Sequence, residues 1–292
     1  MSDVHVLVSP DAGRGRSAGQ RADVLDRLRS HGAHVIDITG SDAVRSEANA
    51  REAVAAGATR LVVVGGDGIV HLGLQVVADT NVVLGVIPFG TGNDFVRGIA
   101  GIPDDPMAAA AIALSDGRPV DAIRAGDRWI ASVATGGFSG DVNERANRLR
   151  RPRGPSRYTV ATVMEVPRLR NRSTRFVIDG VAVHHETAMF AVANTAWFGG
   201  GMHIAPTAAP DDGLMDLVVA ADVGRIELLR FLRLVFAGRH LDHPKVHAHR
   251  GRRIEIETDT PIALWGDGEV IGPTPRRLEA VAGAVHLARG DA

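Results

Sequence analysis

Two apolar runs that each end in a glycine-rich, acidic turn constrain the fold of this chain more than any other feature. Both lie within residues 61–94, which read LVVVGGDGIVHLGLQVVADTNVVLGVIPFGTGND. Residues 61–64 and 82–87 are short β-branched runs, typical of strands that are buried on both faces. Because the carboxyl ends of parallel strands meet at one edge of a sheet, we expect the two turns to lie side by side.

The composition of the two turns favours a bound nucleotide. Glycines let the backbone approach a ligand closely, and successive N–H groups at such a turn favour an anion such as a phosphate chain. Asp67 and Asp94 would repel bare phosphate, so we expect a divalent cation that links them, through water, to phosphate oxygens. For either turn alone, an ordinary strand-to-helix connection is the alternative, because glycine and acidic residues are common there.

The first half of the chain alternates between strand and helix patterns. Strands are predicted at residues 5–8, 34–38, 61–64 and 82–87, and helices at residues 17–31, 42–56, 94–100 and in a segment that ends at 114. This alternation predicts an α/β domain in which helices cover both faces of a parallel sheet.

Two familiar nucleotide motifs fit this half poorly. Gly13, Gly15 and Gly19 imitate a dinucleotide fingerprint, yet the loop that starts at Ser9 is long for that turn. A Walker-type P-loop is excluded because the only lysine of the chain, Lys245, is far from any glycine-rich loop. Arginines, backbone N–H groups and a metal ion would then have to neutralise the charge of the phosphates.

The second half of the chain changes to short strands and glycine turns. We therefore predict two domains, residues 1–122 and 123–292, of which the second is mostly antiparallel β with one clear helix at 225–237. Its β-like runs are predicted at residues 128–135, 175–181, 186–194, 215–220, 253–258, 261–265 and 276–282.

Composition narrows the classes of function. The chain has no cysteine, which excludes disulfides, thiolate zinc sites and cysteine nucleophiles, and a cytoplasmic location fits this. The amino terminus lacks the pattern of a signal peptide, and no window reaches the roughly 18 apolar residues needed to span a bilayer. If the substrate is a membrane lipid, we expect the protein to visit the membrane surface from solution.

Charge is unevenly distributed along the chain. Residues 145–175 contain ten arginines and a single acid, Glu165. Such a run is either a solvated face or a surface that attracts anionic lipid headgroups. Nucleic acid is disfavoured as a partner because Tyr158 in this stretch and Phe176 just after it are the only aromatic residues there that could stack on bases.

The two turns resemble the catalytic domain of the diacylglycerol kinase and sphingosine kinase superfamily. Gly-Gly-Asp-Gly at residues 65–68 and Pro-Phe-Gly-Thr-Gly-Asn-Asp at 88–94 carry this resemblance. Residues 9–15 are similar to the family's first nucleotide loop, with serine in place of asparagine, and residues 212–216 and 267–269 resemble two further motifs. The similarity covers nearly the whole chain in the family's order. It implies a nucleotide-binding domain like those of phosphofructokinases and NAD kinases, followed by a β-rich lipid-substrate domain.

The resemblance also implies roles for individual residues. Glu269 would be the general base, Asp67 would take part in catalysis, and Asp141 would contact the lipid headgroup. Metal ligation is implied for two groups of residues: Asp67, Asp94 and Asp121 around the nucleotide's Mg²⁺, and Asp212 with the carbonyls of Ala209 and Leu214 at a second site. Nucleotide contacts are implied for Ser9, Pro10, Asp11, Ala12, Gly13, Thr39, Gly65, Gly66, Asp67, Gly68, Ile69, Val70, His71, Gly90, Thr91, Asn93 and Asp94.

The implied activity is transfer of the γ-phosphoryl group of ATP, with Mg²⁺, to a lipid hydroxyl. Diacylglycerol is the first acceptor considered, and a sphingoid base or a related lipid is the alternative. Ile69 and His71 match sphingosine kinases, whereas Leu72 stands where the common bacterial form has an acid. Leu72 keeps open a non-catalytic nucleotide or lipid binder, and the Gly-Gly-Asp-Gly turn alone also fits a soluble kinase like the NAD kinases. The expected partners are a membrane lipid and, transiently, the anionic inner face of the membrane, and a homodimer is left open.

Overall fold

The computed structural model describes residues 2–9, 18–90, 92–149, 151 and 156–291. It divides into two compact units, Met1–Ala122 with Ala282–Ala292, and Ile123–Val281. The structure differs from the predicted division in one respect, since the last residues group with the first unit. They do so because the end of the final strand pairs in parallel with a strand of that unit, His286 opposite Val83 and Leu287 opposite Leu84.

The first unit is α/β with a parallel sheet, as predicted. The strands β4, β3, β1 and β2 are neighbours in that order. Its elements are β1 (Ser2–Val8), α1 (Ala18–Ser30), β2 (Ala33–Asp37), α2 (Ala43–Ala55), β3 (Arg60–Gly65), α3 (Asp67–Val77), β4 (Val83–Pro88), α4 (Asp94–Arg97), α5 (Pro106–Ile112) and the first part of β5 (Gly117–Ala125).

The central strand β3 explains why this sheet forms. Side chains alternate between the two faces of a strand, and the side chains from Leu61 to Val64 are all 0–1% exposed. Both faces of the sheet are therefore covered, as the uninterrupted apolar run requires. Helix α4 is shorter than predicted, because it ends at Arg97 and the backbone N–H of Gly98 closes its last turn on the carbonyl of Asp94.

The second unit is mostly antiparallel β. Its remaining strands are β6 (Arg128–Ile130), β7 (Val133–Gly137), β8 (Arg172–Ile178), β9 (Val181–Ala193), β10 (Trp197–Phe198), β11 (Met202–His203), β12 (Met215–Ala221), β13 (Val246–Gly251), β14 (Arg253–Thr258), β15 (Ala263–Gly266), β16 (Glu269–Pro273) and β17 (Arg276–Ala288). The long strand β9 organises them, because its first half pairs with β8 and its second half lies between β7 and β12.

The described residues of this unit form three helices, whereas the sequence predicted one. Besides the predicted α8 (Arg225–Phe236) they are α6 (Phe138–Arg148) and α7 (Ser156–Glu165), and a 3-10 turn at Val166–Arg168 follows α7. Both faces of β12 are apolar, with Leu217 and Val219 in one core cluster and Val218 and Ala220 in another. The helices cover the second of these faces.

Within the described residues, no helix combines the length and the apolar composition needed to cross a bilayer.

Candidate active site

The carboxyl ends of the strands in the first unit converge, as the sequence predicted for parallel strands. The backbone N–H of Ser9, just after β1, donates to the carbonyl of Val64 in β3 at 2.9 Å. Thr39, just after β2, accepts the backbone N–H of Val8 through its Oγ1, also at 2.9 Å. The hydroxyl of Thr39 therefore has a structural partner at this edge of the sheet.

The two glycine-rich turns touch. A Cβ placed on Gly90 would lie 2.5 Å from the Cα of Gly66, a distance that real side chains do not tolerate. A Cβ on Gly65 would lie 2.7 Å from the Cβ of Ser9 and 2.8 Å from Cγ2 of Ile69. These glycines are thus required for backbone packing, and the packing brings the backbones of both turns to one place.

Side chains of the two turns tie them together. Asp67, the first residue of α3, accepts the backbone N–H of Phe95 through Oδ1 at 3.2 Å. Asn93 adopts a left-handed backbone (φ 51°) and exchanges hydrogen bonds with the backbone of Gly90, from Gly90 N to Oδ1 at 3.1 Å and from Nδ2 to Gly90 O at 3.3 Å. The acidic and amide side chains named for nucleotide and metal contact therefore also hold the turn geometry.

Asp94 and Asp121 are buried carboxylates of the same unit. Asp94 begins α4 and is 6% exposed, and its Oδ1 lies 3.7 Å from Nη1 of Arg97, beyond hydrogen-bond distance. Asp121 lies on β5 at 4% exposure and accepts the backbone N–H of Gly283 at 2.8 Å. Asp121 thereby anchors the returning end of β17, a role that the sequence did not indicate.

Three other residues implied for nucleotide contact lie on α3 with buried side chains, namely Ile69, Val70 and His71. Leu72 is also buried, at 6% exposure. An ionised acid at that position would need a partner to offset its burial, so leucine suits the packing of α3 in this chain. Pro10, Asp11, Ala12, Gly13 and Thr91 lie outside the described residues.

The fit of Mg²⁺ to the first unit follows from the chemistry of these donors. Carboxylate oxygens suit Mg²⁺, which keeps several of its water ligands in protein sites. No three or more histidine, aspartate or glutamate side chains in the described ranges form a direct metal cluster. Water-mediated binding of Mg²⁺ by Asp67 and Asp94 stays a prediction, and the carboxylate chemistry of both residues suits it.

In the second unit, Asp267 and Gly268 form the two-residue loop of the β15–β16 hairpin. Both have positive φ, 51° and 89°, as a type I′ turn requires. Glu269 begins β16 and is exposed. The nearby Trp265 is 5% exposed, whereas Val270 is 52% exposed. The carboxyl group of Glu269 is thus presented on a fixed backbone at the surface of the hairpin.

Asp267 holds this hairpin in place. Its carboxylate accepts three backbone N–H groups at the start of β7: Oδ2 from Ala131 at 2.7 Å, and Oδ1 from Ser132 at 2.9 Å and from Val133 at 3.3 Å. The aspartate is therefore a positioning residue for Glu269, two residues further along the chain. Sequence analysis missed this role, and the Asp-Gly pair before a strand was the available signal.

Asp141, implied for lipid contact, lies on α6 and forms an ion pair with an arginine. Nη2 of Arg172 donates to its two carboxylate oxygens at 3.3 and 3.0 Å. A lipid hydroxyl that bonds Asp141 would have to share this carboxylate with the guanidinium group. The sequence contained Arg172 in its arginine-rich stretch, but nothing local connected it with Asp141.

Asp212 is also paired in the structure. Oδ1 accepts the backbone N–H of Leu214 at 2.9 Å, and Oδ2 is ion-paired with Arg250. Arg250 also contacts Asp216 through Nε at 3.2 Å. Both oxygens of Asp212 thus have protein partners, and a guanidinium group supplies positive charge beside the carboxylate. Metal ligation by Asp212 with the carbonyls of Ala209 and Leu214 stays a prediction.

Comparisons with known proteins agree with these features. The family model described as "Diacylglycerol kinase catalytic domain" matches residues 3–125, and that described as "YegS C-terminal NAD kinase beta sandwich-like domain" matches residues 131–289. A diacylglycerol kinase of Mycobacterium tuberculosis is 36% identical over 98% of this chain and 94% of its own length. One of Bacillus subtilis is 25% identical over 98% of this chain and 96% of its own.

Solved structures show the same fold. A diacylglycerol kinase structure from Bacillus anthracis superposes with a TM-score of 0.75 at 20% identity, covering 99% of this chain and 97% of the other. Membership of a kinase family implies ATP as the phosphate donor. The matches to both domains and the identity over nearly the whole length show that this chain belongs to the diacylglycerol kinase family of lipid kinases.

Proposed function

We propose that this protein transfers the γ-phosphoryl group of ATP to the hydroxyl of a membrane lipid, and that diacylglycerol is the acceptor. The contact between the two glycine turns carries the donor side of the proposal, because Gly66 and Gly90 meet with less than a side chain's width between them. Backbones packed in this way suit a phosphate chain. The names of the relatives support diacylglycerol.

The donor side depends on residues of the first unit. Asp67 and Asp94 would hold Mg²⁺ through water molecules, and the bound ion would neutralise charge on the phosphates. Asp67 also keeps α4 in place through the N–H of Phe95, so it orients the turn that carries Asp94. Asp121 is a further carboxylate proposed for the water-linked network.

The acceptor side depends on Glu269. In the proposed reaction the lipid hydroxyl oxygen forms a bond to the γ-phosphorus while the bond from that phosphorus to the ADP oxygen breaks. The hydroxyl proton passes to the carboxylate of Glu269, and ADP leaves. Asp267 fixes the hairpin that carries Glu269, and Asp141 is proposed to contact the headgroup.

The first test is transfer of label from γ-labelled ATP, with Mg²⁺, into a mixed lipid extract and into pure diacylglycerol, sphingosine and ceramide. We expect a labelled product that co-migrates with phosphorylated diacylglycerol. Label in a different lipid would identify that lipid, instead of diacylglycerol, as the acceptor. Clear ATP binding without any labelled lipid would contradict the proposed function.

The role of Glu269 is tested with Glu269→Gln. Because the side chain is exposed, the fold should be retained, and kcat should fall by about 10²- to 10⁴-fold while ATP affinity is unchanged. Glu186→Gln is the matched control, since Glu186 is an exposed glutamate on β9 of the same unit. Full turnover by Glu269→Gln would show that another group takes the proton.

The acceptor in this proposal is a membrane lipid, so the protein would work in peripheral contact with the cytoplasmic face of a membrane. From the sequence, the arginine-rich stretch at 145–175 is either a solvated face or a surface that attracts anionic headgroups. Half of its described arginines are ion-paired with acids: Arg145 with Glu165, Arg148 with Glu144, Arg172 with Asp141 and Arg175 with Glu257. These pairs reduce the positive charge that the stretch can offer to lipid headgroups.

A further inference from the structure

Helix α8 has apolar side chains on two opposite sides. Leu228, Phe231 and Val235 are 0–2% exposed and pack in the core cluster under the helix. On the opposite side, Ile226 is 72% exposed, Leu229 48% and Phe236 57%. A surface helix of a globular protein needs only the first of these stripes, so the second requires a separate explanation.

Two arginines share the exposed side of α8. Positions 226, 229, 230, 233 and 236 are three or four residues apart, which places them along one face of a helix. Ile226, Leu229, Arg230 and Arg233 also line one shallow surface depression. We call these four residues, together with Phe236, the outer face of α8.

The outer face contains no acid. Glu227, the only acidic residue of the helix, accepts hydrogen bonds from Nζ of Lys245 at 2.8 Å and from the backbone N–H of Gly224 at 3.2 Å. It is therefore engaged at the start of the helix and does not neutralise Arg230 or Arg233. The outer face is both apolar and positively charged.

Helix α7 also has exposed apolar side chains. Of the ten large hydrophobic side chains that are exposed in the described part of the chain, three lie on α8 and four on α7: Tyr158, Val160, Val163 and Met164. The 3-10 turn at Val166–Arg168, which follows α7, packs against α8. Exposed apolar surface is thus concentrated in one part of the second unit.

We propose that the outer face of α8 docks on the surface of an anionic bilayer. A helix of this type lies in the plane of the membrane–water interface. Its apolar side chains reach the boundary between the headgroups and the acyl chains, and its arginines contact the headgroups. The proposal rests on the proposed function, since a kinase with a lipid acceptor must reach that lipid at the membrane.

A second copy of the chain fits this face less well. In a two-fold dimer the same patch meets itself, so Arg230 and Arg233 of one copy would approach those of the other without an acid on the patch to pair with them. Anionic headgroups supply the complementary charge. Charge therefore favours a bilayer over self-association.

The experiment uses the absence of cysteine in the chain. A single-cysteine variant, Leu229→Cys, is labelled with an environment-sensitive fluorophore and mixed with vesicles of phosphatidylglycerol and phosphatidylcholine, without ATP or acceptor. Val181→Cys is the matched control, because Val181 is also in the second unit and is 67% exposed. We expect a blue shift at position 229 and none at 181.

Loss of binding is measured by sedimentation with the same vesicles. Arg230→Gln/Arg233→Gln should bind about 25-fold more weakly at low salt, since each arginine near an anionic surface contributes about fivefold. Ile226→Ser/Phe236→Ser should bind at least tenfold more weakly at any salt concentration, because it removes the apolar contact. Unchanged binding by both double variants would overturn the proposal.

Three further results test the proposal. A blue shift at position 229 that depends on protein concentration, without vesicles, would show that a second copy covers the face and would overturn docking to a bilayer. Phosphorylation of a short-chain, water-soluble acceptor should be unchanged in both double variants, whereas phosphorylation of vesicle lipid should fall with binding. If the wild type phosphorylates no lipid but still docks through α8, the proposed function fails and the docking surface stands.

Discussion

The glycine turns of the first unit and the hairpin turn of the second are built in opposite ways. In the first, the backbones of Gly66 and Gly90 pack directly on each other, and the space for any side chain is absent. In the second, one carboxylate, Asp267, gathers three backbone N–H groups, while Gly268 has open space around it. The geometry of the first region therefore depends on missing side chains, and that of the second on one carboxylate.

The largest effect in this comparison is expected from Asp267→Ala. The change leaves the N–H groups of Ala131, Ser132 and Val133 without their acceptor, and it should lower the free energy of unfolding by about 2–4 kcal/mol. Denaturant titration of the purified protein measures this. Asp267→Asn retains one carbonyl oxygen and should recover part of the loss. Equal stability of wild type and Asp267→Ala would contradict the anchoring role.

Gly90→Ala tests the other side of the comparison. The new Cβ would meet the Cα of Gly66 at 2.5 Å, which only a backbone shift can relieve, so a cost of about 1–3 kcal/mol and weaker ATP binding are expected. Gly68→Ala is the matched control for stability, because a Cβ there meets nothing within 4 Å. Stability is measured for both variants, and the ATP affinity of Gly90→Ala is compared with that of the wild type. Equal stability of the two would show that the turns are not packed as tightly as the structure indicates.

The course of the first unit could be predicted because its signals are local. Uninterrupted β-branched runs and periodic helices give the βα alternation, and the glycine spacing locates both turns. The return of β17 to this unit could not be predicted, since its pairing with β4 joins His286 to Val83, about two hundred residues earlier. In the second unit, α6 was missed because polar residues and a glycine separate its few apolar side chains. Helix α7 was missed because it is rich in valine and threonine, which are typical of strands.

The candidate site was predictable only in part, for a related reason. Residue types and resemblance identify which carboxylates to consider, but partners come from elsewhere in the chain. Asp267 accepts hydrogen bonds from three backbone N–H groups that precede it by 134 to 136 positions in the sequence. Arg250 follows its partner Asp212 by 38 positions. The second apolar stripe of α8 is present in the sequence, yet only the structure shows which stripe is buried.

The smallest effect is expected from pH and concerns a histidine cluster of the second unit. The rings of His185 and His247 stack at 4.3 Å between centroids, and His249 lies 6.2 Å from His185. Burial lowers the pKa of His185, and the neighbouring imidazoles lower it further. Burial and His247 likewise lower the pKa of His249.

The lowered pKa values set the sign of the effect. Below about pH 6.5 the unfolded chain binds protons at these positions more readily than the folded protein does. The free energy of unfolding therefore falls as the solution is acidified below that pH, and it is retained above it. We expect His185→Gln/His249→Gln to lose less stability than wild type between pH 7.5 and 5.5 in denaturant titrations. A double variant as sensitive to acid as the wild type would show that these rings do not oppose protonation, and the pH response would then belong to other groups.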